Sequence, residues 1–294
     1  MNGAIMTDGK KRVFSRMYTN ILIIILLAGF VLLLYPTVSN WWNERVQTRA
    51  IATYDDSISD LSDTEYEQIL EEAVNYNERL LAIGISAFYT PDMLDGYTNT
   101  SGEVLNYEDI LDITGTGIMG YVSIPKISVQ LPIYHGTSND VLQVAAGHLE
   151  GTSLPVGGEG THAVIMAHRG LPSARLFTDI NELEVGDTFT ITVLRSVLTY
   201  EVDLISIVEP SDVSELQITE GEDYVTLMTC TPYGVNSHRL LVRGHRVETA
   251  DDTVVTVSGE ASRIRPLLVA AVIDGMLLVI LLIATFLWPG KKKE

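Results

Sequence analysis

Tyr224-Val225-Thr226-Leu227-Met228-Thr229-Cys230 is followed at once by Thr231-Pro232. β-Branched residues dominate the run, side-chain character alternates along it, and a proline closes it, which reads as a strand ending at the rim of a sheet. Beyond it, Pro232 to Asn236 reads as a connection, and Leu240 to Val242 is a second short run. Upstream, runs of the same texture recur at Tyr121-Val122-Ser123-Ile124, Val129 to Tyr134, Ala163 to Ala167, Thr188 to Leu194 and Tyr200 to Val208. Pro125, His135-Gly136, Gly157-Gly158, Gly186-Asp187 and Pro210 punctuate them. Seven or eight short strands with few helices predict a mainly β domain, a barrel or a sandwich. Asn139 to Val144 and Ala174 to Leu183 read as short helices between strands.

The region ahead of Ile118 has a different texture. Trp41 to about Leu81 reads as mostly helical, with Ile69, Ala73, Tyr76 and Leu80 at helical spacing amid many charges. Ser62-Asp63 marks a helix start, with Glu65 and Glu67 in the first turn. Ile85 to Gly115 is a long irregular stretch, a length usually reserved for functional loops or disorder.

Two segments are too apolar for a soluble surface. Ile21 to Val38 carries no charge and, as a helix, reaches roughly 27 Å, close to a bilayer core. Leu267 to Trp288 is longer and is interrupted by Asp274-Gly275. Lys10, Lys11, Arg12 and Arg16 precede the first segment, and Lys291, Lys292 and Lys293 follow the second. Both clusters are expected in the cytoplasm, with the middle of the chain outside, opposed weakly by Arg263 and Arg265. A cleaved signal peptide fits the first segment less well. No A-x-A-like site follows it, and Tyr35-Pro36 and Trp41-Trp42 resemble an interfacial anchor.

The chain of 294 residues is 46% apolar and carries a net charge of −19. Residues 39–262 hold 10 Lys and Arg against 35 Asp and Glu, a net of −25. Such a surface repels nucleic acid and anionic lipid.

There is one cysteine, so no internal disulfide supports an outside domain. A lone Cys reads either as a small buried hydrophobe or as a reactive thiol. Nine residues after Cys230, across the Pro/Gly/Asn connection, stands Arg239. If the two runs pair as neighbouring strands, an always-charged fork of donors sits beside the sulfur. His168 ends the run His162 to His168 and is followed by Arg169-Gly170, a strand running into a loop. Histidine is the natural group to protonate a leaving amine near neutral pH. Cys230, His168 and Arg239 could thus converge on one rim. Against them stand other readings: His162 as a core or edge residue, His238 and His245 as solvated, Arg243 and Arg246 as ordinary surface charges. A zinc site fails on ligand supply, with one Cys and neither H-E-x-x-H nor C-x-x-C. The C-G-x-C-W context of papain-type enzymes is absent.

Thr226-Leu227-Met228-Thr229-Cys230 resembles the T-L-x-T-C signature of sortases, and Thr231 to Gly244 resembles the pilin-polymerising class C. Gly120-Tyr121, Ile124-Pro125-Lys126, Leu131 to Thr137, Gly147 to Gly158 and His168 to Thr178 are similar to class C segments in the same order, over about residues 105–247. The resemblance implies an eight-stranded sortase β-barrel with short helices, an N-terminal helical region and two flanking transmembrane helices. It implies the division 1–20 cytoplasmic, 21–38 span, 39–84 helical region, 85–115 lid loop, 116–249 barrel, 250–266 linker, 267–288 span and 289–294 cytoplasmic tail.

It also implies Cys230, His168 and Arg239 as the catalytic set, with no cofactor and no metal. The partners implied are membrane lipid and secreted pilins or surface proteins bearing a C-terminal Leu-Pro-x-Thr-Gly-like signal, at the outer face of a Gram-positive-type membrane. The enzyme would cleave after Thr, hold the acyl group as a thioester and pass it to a pilin lysine. Class C enzymes usually carry an Asp-Pro-aromatic lid motif, which is missing here. Ser86 and Phe88, or Asp92 and Met93, stand in its place. Competing readings are attachment of surface proteins to peptidoglycan and a non-catalytic anchored ectodomain with an inert Cys230.

Overall fold

The computed structural model describes residues 8–83 and 107–249, together with Gly275. The β-branched runs become β1 (Ile118–Ile124), β2 (Val129–His135), β3 (Ala146–His148), β4 (Thr161–Met166), β5 (Thr188–Val193), β6 (Ser196–Val208), β7 (Asp223–Thr231) and β8 (His238–Val247). They close into one barrel in the order β1-β2-β3-β4-β7-β8-β6-β5. Closure removes the unpaired edges that an open sheet would expose. Most ladders are antiparallel, but β2 with β3 and β4 with β7 are parallel. Close strand approaches need glycine. A Cβ on Gly244 would lie 2.8 Å from the Phe189 ring and 2.9 Å from Tyr200.

The alternation of each strand sorts its side chains onto two faces. Ala163, Ile165, Val225, Leu227, Leu240 and Val242 point to the barrel interior with Phe189, Ile191 and Tyr200. The opposite face of the same strands carries a smaller apolar cluster of Val164, Met228, Leu241 and Leu216, joined by Leu149, Met166 and Val208. Leu216 comes from a short 3-10 turn, Ser214–Leu216, in the connection between β6 and β7.

Two helices precede the barrel, α1 (Asp8–Ser59) and α2 (Asp63–Ile83). Ser62 and Glu65 form a reciprocal capping box at the start of α2. Ser62 N donates to Glu65 Oε2 at 2.9 Å and Glu65 N donates to Ser62 Oγ at 3.3 Å. Ala73, Tyr76 and Leu80 are buried and Ile69 is half-buried, so the face read from spacing is the face that packs. Asn77 imitates a backbone ladder: its Nδ2 donates to Leu154 O at 3.0 Å and its Oδ1 accepts from Leu154 N at 2.7 Å. Late in α1, Tyr54 is fully buried. Its hydroxyl donates to Met119 O at 3.0 Å and accepts from Leu194 N at 2.8 Å.

Among the described residues one helix, from Ile21 onward, is long and apolar enough to cross a membrane. It forms part of α1, which runs on without a break past residue 38 and contains Pro36. The second expected span, residues 267–288, lies outside the described residues apart from Gly275, which is helical. The short helix over Asn139–Leu142 is present, capped by Ser138 Oγ. The helix expected over Ala174 to Leu183 is reduced to a 3-10 turn, Ile180–Glu182, because Leu176 adopts φ +40°, which a right-handed helix cannot pass through. β3 was not among the expected strands; Ala-Gly-His carries no strand signal of its own and is ordered by partners on both sides.

Candidate active site

β7 and β8 are antiparallel neighbours, and Cys230 pairs directly with Arg239. Opposed residues in such a ladder have Cα atoms about 4.5–5.5 Å apart and side chains on one face. On the other side of β7, β4 runs parallel, with Met166 opposite Met228. Ala167 N donates to Met228 O at 3.2 Å, and Thr229 Oγ1 donates to Ala167 O at 2.8 Å, so the two chains stay in step past the end of β4. Two residues beyond the methionines, His168 comes level with Cys230. β6 contributes Val208 beyond Arg239. The three residues singled out from the sequence therefore share one transverse row at the end of adjacent strands.

The row lies at the border of the smaller apolar cluster. One step down the same strands stand Met166, Met228 and Leu241, with Ser206 facing Leu241. Cys230 is a free, half-buried thiol. Partial burial pushes the His168 imidazole below its ordinary range, which favours the neutral ring at neutral pH. Arg239 is half-buried; its Nη1 donates to His238 O at 3.3 Å, and no carboxylate among the described residues pairs with it. The cation paired with Cys230 across the ladder is then Arg239.

Arg169 holds the two loops of the site together, a role that its sequence neighbourhood did not reveal. Its Nε donates to Thr178 O at 3.1 Å, Nη1 to Thr231 Oγ1 at 3.2 Å and Nη2 to Asn181 Oδ1 at 2.7 Å. It thus joins the residue after His168 to the residue after Cys230. Only its adjacency to His168 could have pointed to it. Gly170 completes the clasp. At φ +80° it lies under the Tyr233 ring, and a Cβ there would fall 2.6 Å from Tyr233 Cε2.

Three of the other polar residues weighed from sequence are occupied elsewhere. Arg243 makes a fork to Asp203, with Nε at 3.0 Å and Nη2 at 2.8 Å, and lies 4.2 Å from the centre of the Tyr224 ring. Arg246 lies over Tyr200. His162 is buried and bonded through both ring nitrogens. Among the described residues no group of His, Cys, Asp and Glu is arranged to hold a metal ion. Ser86, Phe88, Asp92 and Met93 lie outside the described residues.

This geometry agrees with the comparisons. The family model for the sortase domain matches residues 122–247. Sortase C1 from Streptococcus agalactiae is 49% identical in sequence, over 69% of this chain and 100% of that one, with a TM-score of 0.61. Sortase C of Streptococcus pneumoniae is 44% identical, over 68% and 97%, with a TM-score of 0.60. Sortase D of Bacillus subtilis is 29% identical over 160 residues, 53% of this chain and 77% of that protein. With the closed barrel and the thiol at its strand end, these likenesses show that the chain belongs to the sortase family of cysteine transpeptidases, in the company of class C.

Proposed function

We propose that this chain is a pilin polymerase, which cleaves a Leu-Pro-x-Thr-Gly-like signal through a Cys230 thioester and passes the acyl group to a lysine amine of another pilin. The observation that carries the chemistry is the Cys230–Arg239 pair in register, with His168 level on the neighbouring strand. In this reading the Cys230 sulfur attacks the Thr carbonyl carbon while the thiol proton passes to His168. The carbonyl oxygen becomes an oxyanion facing the Arg239 guanidinium. One such donor is worth about 3–4 kcal/mol of barrier in other enzymes. As the C–N bond breaks, His168 returns the proton to the departing glycine amine. A lysine amine then attacks the thioester, loses a proton to His168 and expels the thiolate, leaving an isopeptide bond.

The pilin reading rests on the class C company of the chain, while the transpeptidase reading rests on the site and the family. The two-span topology with the barrel outside the cell, and the lid reading of Ser86, Phe88, Asp92 and Met93, belong to the same proposal and rest on sequence. Attachment to peptidoglycan is the competing use of the same thioester. The decisive test offers the acyl-enzyme a pilin lysine or a cell-wall cross-bridge amine. Faster resolution by the cross-bridge amine would replace the pilin reading. For the nucleophile, Cys230→Ala should abolish the thioester and all polymer while the domain stays folded. Cleavage of a signal peptide by the folded variant would overturn the assignment.

A further inference from the structure

The chain sorts its two basic residue types by position. Of its six lysines, five stand in the clusters that read as cytoplasmic: Lys10, Lys11, Lys291, Lys292 and Lys293. The 10 basic residues of 39–262 are nine arginines and Lys126. As charges the two types are alike, but only lysine carries an amine that becomes a nucleophile when neutral. A domain that holds an acyl thioester and hands it to lysine amines is open to attack by its own lysines. An arginine in the same place is inert to the thioester.

Lys126 sits in the 3-10 turn Pro125–Ile127 that joins β1 to β2. Strand directions put that turn at the end of the barrel that carries Cys230. β4 runs parallel to β7, β3 antiparallel to β4, β2 parallel to β3 and β1 antiparallel to β2, so β1 and β7 finish at the same end. In the closed order β1 lies four strands from β7 in either direction, on the opposite wall. Opposite walls of an eight-stranded barrel stand roughly 15 Å apart, so the thioester that could reach Lys126 is a second copy's. The Lys126 side chain is 36% exposed, and two carboxylates from the turn ahead of β5 grip its amine. Nζ donates to Asp187 Oδ2 at 2.8 Å and to Glu184 Oε2 at 3.1 Å. These bonds, the one to Asp187 first, hold the ammonium above its ordinary pKa range. Asp187 is fixed in turn, because its Oδ2 also accepts from Glu184 N at 2.6 Å. A protonated, doubly bonded amine has neither the lone pair nor the freedom to attack.

We propose that Glu184 and Asp187 shield Lys126, the one lysine of the catalytic domain, so that the acyl group at Cys230 passes to an external lysine and not to a second copy of the enzyme. The inference rests on the transpeptidase reading above, with lysine as acceptor, and adds a modification site that the two carboxylates keep silent. In the reaction they prevent, a neutral Lys126 amine attacks the thioester carbonyl carbon. The C–N bond forms, the C–S bond breaks, and the amine proton ends on the departing Cys230 sulfur by way of His168.

The test gives full-length chains in detergent a Leu-Pro-Glu-Thr-Gly peptide labelled at its amino end, with no pilin present. Hydroxylamine releases a thioester and leaves an isopeptide bond intact, so label that survives it reports acylated lysine. The parent should carry only hydroxylamine-labile label. A Cys230→Ala chain cannot load itself, so any label it gains comes from the parent's thioester. Mixed with loaded parent, a Cys230→Ala chain that also carries Glu184→Gln and Asp187→Asn should gain stable label on Lys126, at least fivefold above Cys230→Ala alone. Adding Lys126→Arg should remove that label. A folded triple variant no better labelled than Cys230→Ala would overturn the shield. If the triple variant does not fold, Glu184→Gln in the Cys230→Ala chain decides, at a carboxylate 83% exposed. It should raise stable label about twofold, and no rise rejects the proposal. A lysine placed beside the thioester gives the converse. Val235 is 69% exposed in the connection from β7 to β8. With Cys230 intact, Val235→Lys should make most of the label stable at residue 235, because the attack is then intramolecular, whereas Val235→Arg should behave as the parent. If Val235→Lys keeps only labile label, a stray lysine is no acceptor and Lys126 needs no shield. A parent that forms no thioester counts against the function, whereas a parent that forms it while every variant stays labile counts against the shield alone.

Discussion

The two ends of the same strands carry the same kinds of residue and treat them in opposite ways. At one end of β4, β7 and β8 stand His162, Tyr224 and Arg243; at the other stand His168, Cys230 and Arg239. Arg243 has a bidentate carboxylate and an aromatic face, and both nitrogens of His162 are engaged. Arg239 has a single long bond to its neighbour's carbonyl and no carboxylate partner among the described residues, and His168 is held by its backbone rather than by a side-chain bond. Buried polar groups are normally satisfied because leaving them unpaired costs about 1–3 kcal/mol. Among the described residues the half-buried Arg239 guanidinium spends one donor on the His238 carbonyl, which leaves others available to a group that arrives later. Polar groups are saturated at one end of the sheet, and the proposed catalytic row lies at the other, where they are not.

The sharpest way to break this contrast is Arg239→Lys. Lysine retains the charge and loses the planar fork. kcat for peptide cleavage should fall by about 100-fold or more, roughly 3 kcal/mol, with KM little changed, as expected of a contact made mainly in the transition state. A large rise in KM with kcat preserved would move Arg239 from the reaction to substrate binding.

Acid should attack the saturated end and the core, not the reactive row. His148 is fully buried, accepts from the Tyr107 hydroxyl at 2.9 Å and donates to Ser153 O at 2.8 Å. Burial pushes both His148 and His162 from an ordinary 6.5 down to about 4. Both rings are neutral in the folded barrel and protonate near 6.5 once unfolded, so it is the unfolded chain that takes up protons. Their contribution is fully present above about pH 6.5 and is lost as the pH falls toward 4. Between pH 7 and 5.5 the two together should cost on the order of 2 kcal/mol, read as a falling denaturant midpoint. A flat midpoint over that range would show that these rings do not stay neutral.

Arg243→Lys should give the smallest effect. The Arg243–Asp203 pair is about a quarter exposed on each side, so loss of the fork should lower stability by about 1 kcal/mol and leave kcat unchanged. If Arg243→Lys lowers kcat as much as Arg239→Lys, the division between the two ends fails.

Local signals carried much of this arrangement and long-range pairing carried the rest. The antiparallel partnership of Cys230 and Arg239 follows from a short connection between two strand-like runs, so the pair was visible in sequence. The level of His168 was not, because it depends on a parallel ladder between residues 62 positions apart, which no local pattern encodes. The same limit explains His162. Its spacing says only that it shares a face with His168, and its partners lie 55 and 64 residues away. Alternation predicted β sheet without choosing between barrel and sandwich. Closure depends on β5 finding β1 and on three-residue β3, which has no β-branched residue to announce it. Capping chemistry at Ser62 and Glu65 is contained in four consecutive residues and was legible as it stood.

Cys230 is at once the proposed nucleophile and the only sulfhydryl of the chain. Counting reactive sulfhydryls in a preparation therefore counts competent active sites. One equivalent of a chromogenic disulfide consumed per chain would mean that every molecule is intact at the reacting atom. A fractional value would give the oxidised or alkylated portion directly, and rates could be expressed per working molecule rather than per milligram. Oxidative damage to the sulfur would silence the enzyme without touching any covalent support of the barrel, since no disulfide exists to be reshuffled.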